Sequence, residues 1–404
     1  MSKFRLGSWL LAIAFPKRIV SILALLTLLT SCGLPQIKAQ ERVFLNLSLE
    51  FVGEYQLPKM KFKDTRVGGL SGLTYDRQRN RFYAISDDRS EARFYTLKLV
   101  LNNPTTGKLG IEKVEVENVI FLKDENGKPY PKGTIDAEGI ALTPQQSVFI
   151  SSEGVASDGI PPFVKEFDLK TGRSRQSLPI PERYIPNVAG SRGIQNNLGF
   201  ESLTLNPTGT IPASGEPFRL FAATESALVQ DEEPSPRVQP GGATPQQTPK
   251  EQGAKTRLLH YLLSDAAPVL ISEHLYQLEP PPSGAIKHGL AELLALDNGG
   301  HFLSLERSFG LLGFSVRIYQ AATGGATDTS RIPSLKGELR GVEPVKKKLL
   351  LDLDDVGISL DNLEGMTLGP TFPDGSQSLL LVSDDNFRDE QVTQFVLFRL
   401  KKGR

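Results

Sequence analysis

An acidic residue recurs at one place in four of five related apolar segments. Ser71-Gly72-Leu73-Thr74 recurs as Glu138-Gly139-Ile140-Ala141, Glu201-Ser202-Leu203-Thr204, Glu292-Leu293-Leu294-Ala295 and Glu364-Gly365-Met366-Thr367. A second apolar run follows each copy and ends in Ser86-Asp87-Asp88, Ser151-Ser152-Glu153, Ala223-Thr224-Glu225, Ser304-Leu305-Glu306 or Ser383-Asp384-Asp385. Carboxylates gathered in one place raise each other's pKa unless something compensates them. Hard cations do so with oxygen ligands, and calcium tolerates irregular geometry with many of them. A cation so held can polarise a phosphoryl oxygen and lower the pKa of a bound water. Asp88, Glu138, Glu153, Glu201, Glu225, Glu292, Glu306, Glu364 and Asp385 are therefore the candidate calcium ligands, with Glu138, Glu201 and Glu364 the candidate catalytic carboxylates. Arg89, Arg192, Arg307, Lys287 and His288 share the same loops and are candidates to grip phosphate or another anion. For any one carboxylate the competing role is a cap on backbone amides.

Something must bring these residues together. The copies start 67, 63, 91 and 72 residues apart. The long interval holds Asp231 to Thr256, a stretch rich in Pro, Gln and Gly, which reads as a disordered loop insertion. Without its 26 residues that interval is 65, close to the others. Such a period means one supersecondary unit per copy. Both runs of each copy are short and bounded by turn residues, so they read as strands. Further strands are predicted at 94–101, 163–169, 258–263, 314–319 and 394–400. Fourth strands are predicted at 112–121, 269–278, 345–353 and, weakly, 176–180. The fifth copy lacks a fourth strand, and Phe44 to Leu57 is free to supply it. This pattern predicts an all-β, five-bladed β-propeller closed by its N-terminal strand. The alternative count is six, with a degenerate blade in the long connections.

In such a blade the start of the first strand and the end of the second share one face. Glu138 is then expected beside Glu153, Glu201 beside Glu225, Glu292 beside Glu306, Glu364 beside Asp385, and Ser71 beside Asp88. The first strands line the central channel, so these acids, with Asp87 and Asp384, should converge at one mouth. The Asp352-Leu353-Asp354-Asp355 stretch lacks EF-hand spacing and reads as a strand end.

Other chemistries are absent. No Gly-x-Ser-x-Gly elbow and no Gly-x-x-x-x-Gly-Lys loop occurs in the chain. One cysteine excludes a disulfide framework, and four histidines leave little room for a multi-His zinc site. The 404 residues hold 46 basic and 46 acidic side chains, a balance that argues against nucleic-acid binding.

The first 31 residues carry Lys3, Arg5, Lys17 and Arg18, no acid, and an apolar run from Ile19 to Leu29. That run is too short to span a bilayer but suits a signal peptide. Leu29-Thr30-Ser31-Cys32 resembles a lipobox, which predicts cleavage before Cys32 and lipidation of its thiol. Residues 32–42 would then be a tether, and 43–404 the propeller. The expected location is the cell envelope, on the outer membrane if the source is Gram-negative, with the membrane met through the anchor alone. A monomer acting on a small phosphorylated or anionic substrate is expected.

The motif set Gly69-Leu70-Ser71-Gly72-Leu73, Asp136-Ala137-Glu138-Gly139-Ile140, Asn197-Leu198-Gly199-Phe200-Glu201, Asn362-Leu363-Glu364-Gly365-Met366 and Val382-Ser383-Asp384-Asp385-Asn386-Phe387 resembles the phytase-like domain family, also called "esterase-like activity of phytase". The resemblance runs from about Gly68 to Leu400. It implies a secreted or lipid-anchored propeller and phosphoesterase or esterase activity. It also implies calcium at an acidic mouth, as in alkaline phytases, which have six blades where five repeats are present here. The leading functional expectation is a calcium-dependent phosphoesterase. The alternatives are a non-catalytic envelope binding module and a carboxylester hydrolase.

Overall fold

The computed structural model describes residues 43–102, 109–206, 216–233 and 253–403. The predicted leader, Cys32 and the tether lie outside the described residues, as do residues 234–252 of the predicted insertion.

The described chain begins with strand β1 (Leu47–Leu57) and a small hairpin, β2 (Met60–Phe62) and β3 (Thr65–Val67). Five antiparallel four-stranded sheets organise the remainder. Blade one is β4 (Leu70–Asp76), β5 (Arg81–Ser86), β6 (Arg93–Leu101) and β7 (Ile111–Phe121). Blade two is β8 (Ala137–Leu142), β9 (Ser147–Ser152), β10 (Phe163–Asp168) and β11 (Ser174–Ser177). Blade three is β12 (Phe200–Leu205), β13 (Phe218–Thr224), β14 (Lys255–Leu263) and β15 (Val269–Gln277). Blade four is β16 (Ala285–Ala295), β17 (His301–Gly310), β18 (Gly313–Ala322) and β19 (Lys346–Asp352). Blade five is β20 (Leu363–Thr371), β21 (Gln377–Ser383) and β22 (Thr393–Lys402), completed by β1. The fold is a five-bladed β-propeller, as the repeats predict. Asp352 does end a strand, and its side chain accepts from the Asp354 amide of the following turn.

The strands form because each blade buries apolar side chains against its neighbours on both faces. Leu70, Phe94, Phe149, Phe167, Leu303, Leu305 and Phe398 are all fully buried. Burying one such side chain contributes about 1.5–3 kcal/mol. The core is not one mass but five wedges, one between each pair of neighbouring blades. Each inner strand touches the next around the ring, β4 to β8 to β12 to β16 to β20 and back to β4. That approach is close enough to dictate sequence. A Cβ on Gly72 would sit 2.5 Å from the Glu138 carbonyl oxygen, and one on Gly139 would sit 2.6 Å from Leu203 Cβ.

β1 pairs with β22 from Leu47–Lys402 to Leu57–Thr393 and closes the ring. The ends of the predicted 231–256 insertion belong to the fold. Asp231 is buried against Arg257, and Lys255 and Thr256 begin β14. Composition draws that boundary too wide, because it cannot see a buried ion pair.

Candidate metal centre at the channel mouth

Strand register decides which acids meet. Each inner strand bulges where it enters the mouth. The residues carried by the bulges are Ser71, Glu138, Glu201, Ala291 and Glu364. A bulge leaves its residue unpaired and re-aims the side chain. The second strand of each blade delivers a partner just past its end. Asp87, Glu153, Glu225 and Asp384 donate their amides to the carbonyls of Gly69, Asp136, Gly199 and Asn362, at 2.9, 3.0, 2.8 and 2.9 Å. In blade four the equivalent residue, opposite Gly289, is Arg307. The mouth therefore has two rings; blade four supplies alanine and arginine to them and blade one Ser71 to the first, where the others supply acids.

Glu138, Glu153, Glu201, Glu225 and Glu364 occupy the rings as the sequence predicts. Four predicted ligands do not. Asp88 lies one residue beyond Asp87; its carboxylate accepts from the Ser90 amide and hydroxyl at 2.9 and 2.6 Å and pairs with Arg93 at 2.6 Å. Asp385 pairs with Lys59 and accepts from the Gly69 amide at 2.8 Å. Glu306 accepts from the Tyr276 hydroxyl at 2.8 Å and the Glu279 amide at 3.0 Å, and pairs with Lys347. Burial alone would raise its pKa, but His288 and Lys347 hold it below the usual value. Glu292 accepts from the amides of Leu293 at 2.9 Å and Leu203 at 3.2 Å. It is a backbone cap that ties β12 to β16.

Asp87 and Asp384 stand in the second ring instead of Asp88 and Asp385. Asp136, just ahead of Glu138, is a further member that the repeat comparison did not isolate; its signal is the Asp-x-Glu spacing, unique to that copy.

Three overlapping acid triads result. Asp87, Asp136 and Glu138 each place a carboxylate oxygen within 4.8 Å of the others; so do Glu138, Glu201 and Glu364, and so do Glu153, Glu201 and Glu225. Glu138 and Glu201 each belong to two triads. Among the described residues neither accepts a hydrogen bond. Burial, and then neighbouring carboxylates, push Glu138, Glu153 and Glu201 well above the usual carboxylate range. Burial followed by Glu364 and Asp136 pushes Asp87 up to about 8. Asp384 moves the same way, through burial and then Asp87.

Two arginines offset part of this charge. Arg307 pairs with Glu364 and, at 2.7 Å, with Glu225, and it donates to the Asn362 side-chain oxygen. Arg89 donates to Asp136 at 2.6 Å and to Asn197 at 2.7 Å. The other predicted anion holders do not join them. Arg192 pairs with Glu182 at 2.8 Å. His288 is fixed between the Ser308 hydroxyl at 2.8 Å and the Glu279 carbonyl at 3.0 Å. Lys287 is exposed on the projecting start of β16.

Buried carboxylates outnumber guanidinium groups at this mouth, and all donors are oxygen. That donor set can hold a hard cation.

A family model described as "Phytase-like: Esterase-like activity of phytase" matches residues 65–387. The chain belongs to that family. In this phytase-like protein the matched span begins at β3 and takes in every ring residue of the mouth. No curated protein matches the chain. Among solved structures, the catalytic domain of Coprinopsis cinerea GH62 α-L-arabinofuranosidase is 11% identical, with 88% of this chain and 97% of that chain covered and a TM-score of 0.39. The Dos1 propeller is 9% identical over 82% of this chain and 68% of that one, with a TM-score of 0.32. The Neurospora crassa Pan2 WD40 domain is 11% identical over 87% of this chain and 95% of that one, with a TM-score of 0.28. Likeness at this level carries nothing about chemistry.

Proposed function

We propose that this phytase-like propeller is a calcium-dependent phosphoesterase whose reaction takes place at the acidic mouth. The observation that carries the reading is that Glu138 and Glu201 are buried, accept no hydrogen bond among the described residues and are each shared between two acid triads. Buried charge of one sign is costly without compensation. Glu138, Glu201 and Glu364 would hold calcium centrally, with Asp87 and Asp136 on one side and Glu153 and Glu225 on the other. Calcium bound there supplies a Lewis acid for a phosphoryl oxygen and acidifies a coordinated water.

The protein's own groups do the rest. Arg307 is buried and fixed by Glu225 and Glu364, so its remaining N–H donors are aimed before substrate arrives. A guanidinium matches the oxygens of a phosphate in planar, paired fashion. Arg89, tied to Asp136, offers a second donor at the rim. Glu201 and Glu138 have oxygens free to accept a proton from an attacking water, while Glu364, held by Arg307 and Asn362, positions rather than titrates. Export through the N-terminal leader and a lipid anchor on Cys32 complete the proposal.

The test is phosphate release from phytate and from an aryl phosphate, with calcium and with a chelator. Glu201→Gln should lower calcium-dependent turnover by at least ~10²-fold while the chain stays folded. Equal turnover in wild type and variant would end the proposal, as would release that ignores the chelator. A folded wild type that binds calcium yet releases no phosphate would leave a binding module.

A further inference from the structure

Blade four departs from the others in a second way. Its central hairpin is longer: β17 and β18 pair over ten register positions, against five for β5 with β6 and six for β9 with β10, β13 with β14 and β21 with β22. The extra length lies beyond the mouth, because β17 runs toward that face and pairing continues to Gly310–Gly313. The tip is Leu311 and Leu312, which are 87% and 101% exposed. Ile286, on the strand beside it, is 67% exposed. The projection is braced rather than loose. The Phe309 and Phe314 rings meet across it in a tilted pair, centroids 4.8 Å apart, and Gly310 fits so closely that a Cβ there would lie 2.5 Å from the Gly284 carbonyl oxygen.

Aliphatic side chains held out on a rigid, convex point need a covering phase. Protein interfaces concentrate binding energy in Trp, Tyr and Arg seated in pockets, and leucine is under-represented among such residues. A convex leucine pair fits a fluid hydrocarbon layer better than a preformed cavity. The surroundings agree. Phe309 stands just below the tip, at the depth where an aromatic ring meets headgroups, and exposed Lys287 pairs with it across the strands. A lysine there can lay its stem along acyl chains and reach a lipid phosphate.

We infer that the β17–β18 hairpin inserts its tip into a phospholipid bilayer and so presents the mouth face to the membrane surface. This contact is separate from the predicted lipid anchor and holds whichever chemistry the mouth performs.

The test uses the full chain with Trp9→Phe, so that one introduced tryptophan reports alone. Leu312→Trp places it at the tip, and Gln145→Trp places it in the β8–β9 turn on the opposite face. Each is mixed with phosphatidylcholine vesicles, plain or brominated in the acyl chains. Bromine should remove roughly half of the Leu312→Trp emission and leave Gln145→Trp unchanged. Adding Leu311→Asp should abolish the quenching. Equal quenching at both positions, or none at the tip of vesicle-bound protein, overturns the inference. A tip emission that shifts with protein concentration and ignores vesicles would assign the surface to a second copy of the chain instead. Turnover of a soluble aryl phosphate should not respond to Leu311→Asp, so failure here and failure of the phosphoesterase reading are told apart.

Discussion

Two clusters of buried charge can be compared in this molecule. At the outer side of blade three, Arg257 pairs with Asp231 at 2.6 Å and with Glu273, and Arg183 holds Glu273 at 3.0 Å. The Tyr184 hydroxyl donates to Glu273 at 2.9 Å. Two acids meet two arginines, and every group has a partner. At the mouth, acids crowd around Arg307 and Arg89, and among the described residues no donor reaches Glu138 or Glu201. A balanced network fixes a fold, whereas an unbalanced one leaves capacity for something the chain does not contain. Blade four shapes the imbalance: Arg307 relieves Glu225 and Glu364 and Arg89 relieves Asp136, which leaves Glu138 and Glu201 between them without an ion pair among the described residues.

The comparison can be broken in four ways. Arg257→Met should cost the most, about 3–5 kcal/mol in denaturant unfolding, because it leaves buried Asp231 without its cation and Glu273 with Arg183 alone. Arg307→Gln should cost less, about 1–3 kcal/mol, since the Gln amide keeps a donor beside Glu225 and Glu364. Glu138→Gln with Glu201→Gln should act in the opposite direction. In chelator it should stabilise the protein by about 1 kcal/mol and erase the rise in melting temperature that calcium gives wild type. A loss of stability in that double variant would mean that these two acids are structural after all.

The smallest effect concerns pH. Asp87 and the central glutamates have folded pKa values above their unfolded ones, so the native state keeps protons that the unfolded chain releases. Metal-free stability should therefore be greatest near pH 4 and decline as pH rises toward about 8, where Asp87 titrates. A melting temperature a few degrees lower at the upper end of that window, restored by calcium, is the expected pattern. A flat profile would mean that the carboxylates are compensated within the chain.

Much of this was legible in sequence. Five apolar segments at an even period encode five blades, because each blade must bury both faces against its neighbours. The channel mouth was legible too, since antiparallel pairing returns the second strand to where the first began. Register was not. Glu292-Leu293-Leu294 matches Glu201-Ser202-Leu203 by eye, yet the bulge places Ala291 where Glu201 stands. A slip of one residue sends a side chain to the other face, which is why Glu292 caps amides and Arg307 enters the ring. The same slip separates Asp87 from Asp88 and Asp384 from Asp385. A usable signal existed: Ser86, Ser152, Thr224 and Ser383 are small hydroxyl residues directly before the ring acid, and blade four breaks that pattern with Glu306-Arg307. The tip of the β17–β18 hairpin was visible only as Leu311-Leu312. Its exposure depends on strand length, which hydrophobicity alone would have turned inward.

The pairing of β1 with β22 also governs timing. Leu47 and Lys402 stand at nearly opposite ends of the chain yet share a register position. Blades one to four can assemble from local hairpins as they emerge from synthesis, but the last sheet waits for the ten residues of β22. Until they arrive β1 is an unpaired apolar edge, the species most exposed to proteases and to self-association. The slow step in maturation is then a single zipping event, and its rate is set by the two ends finding each other rather than by any blade.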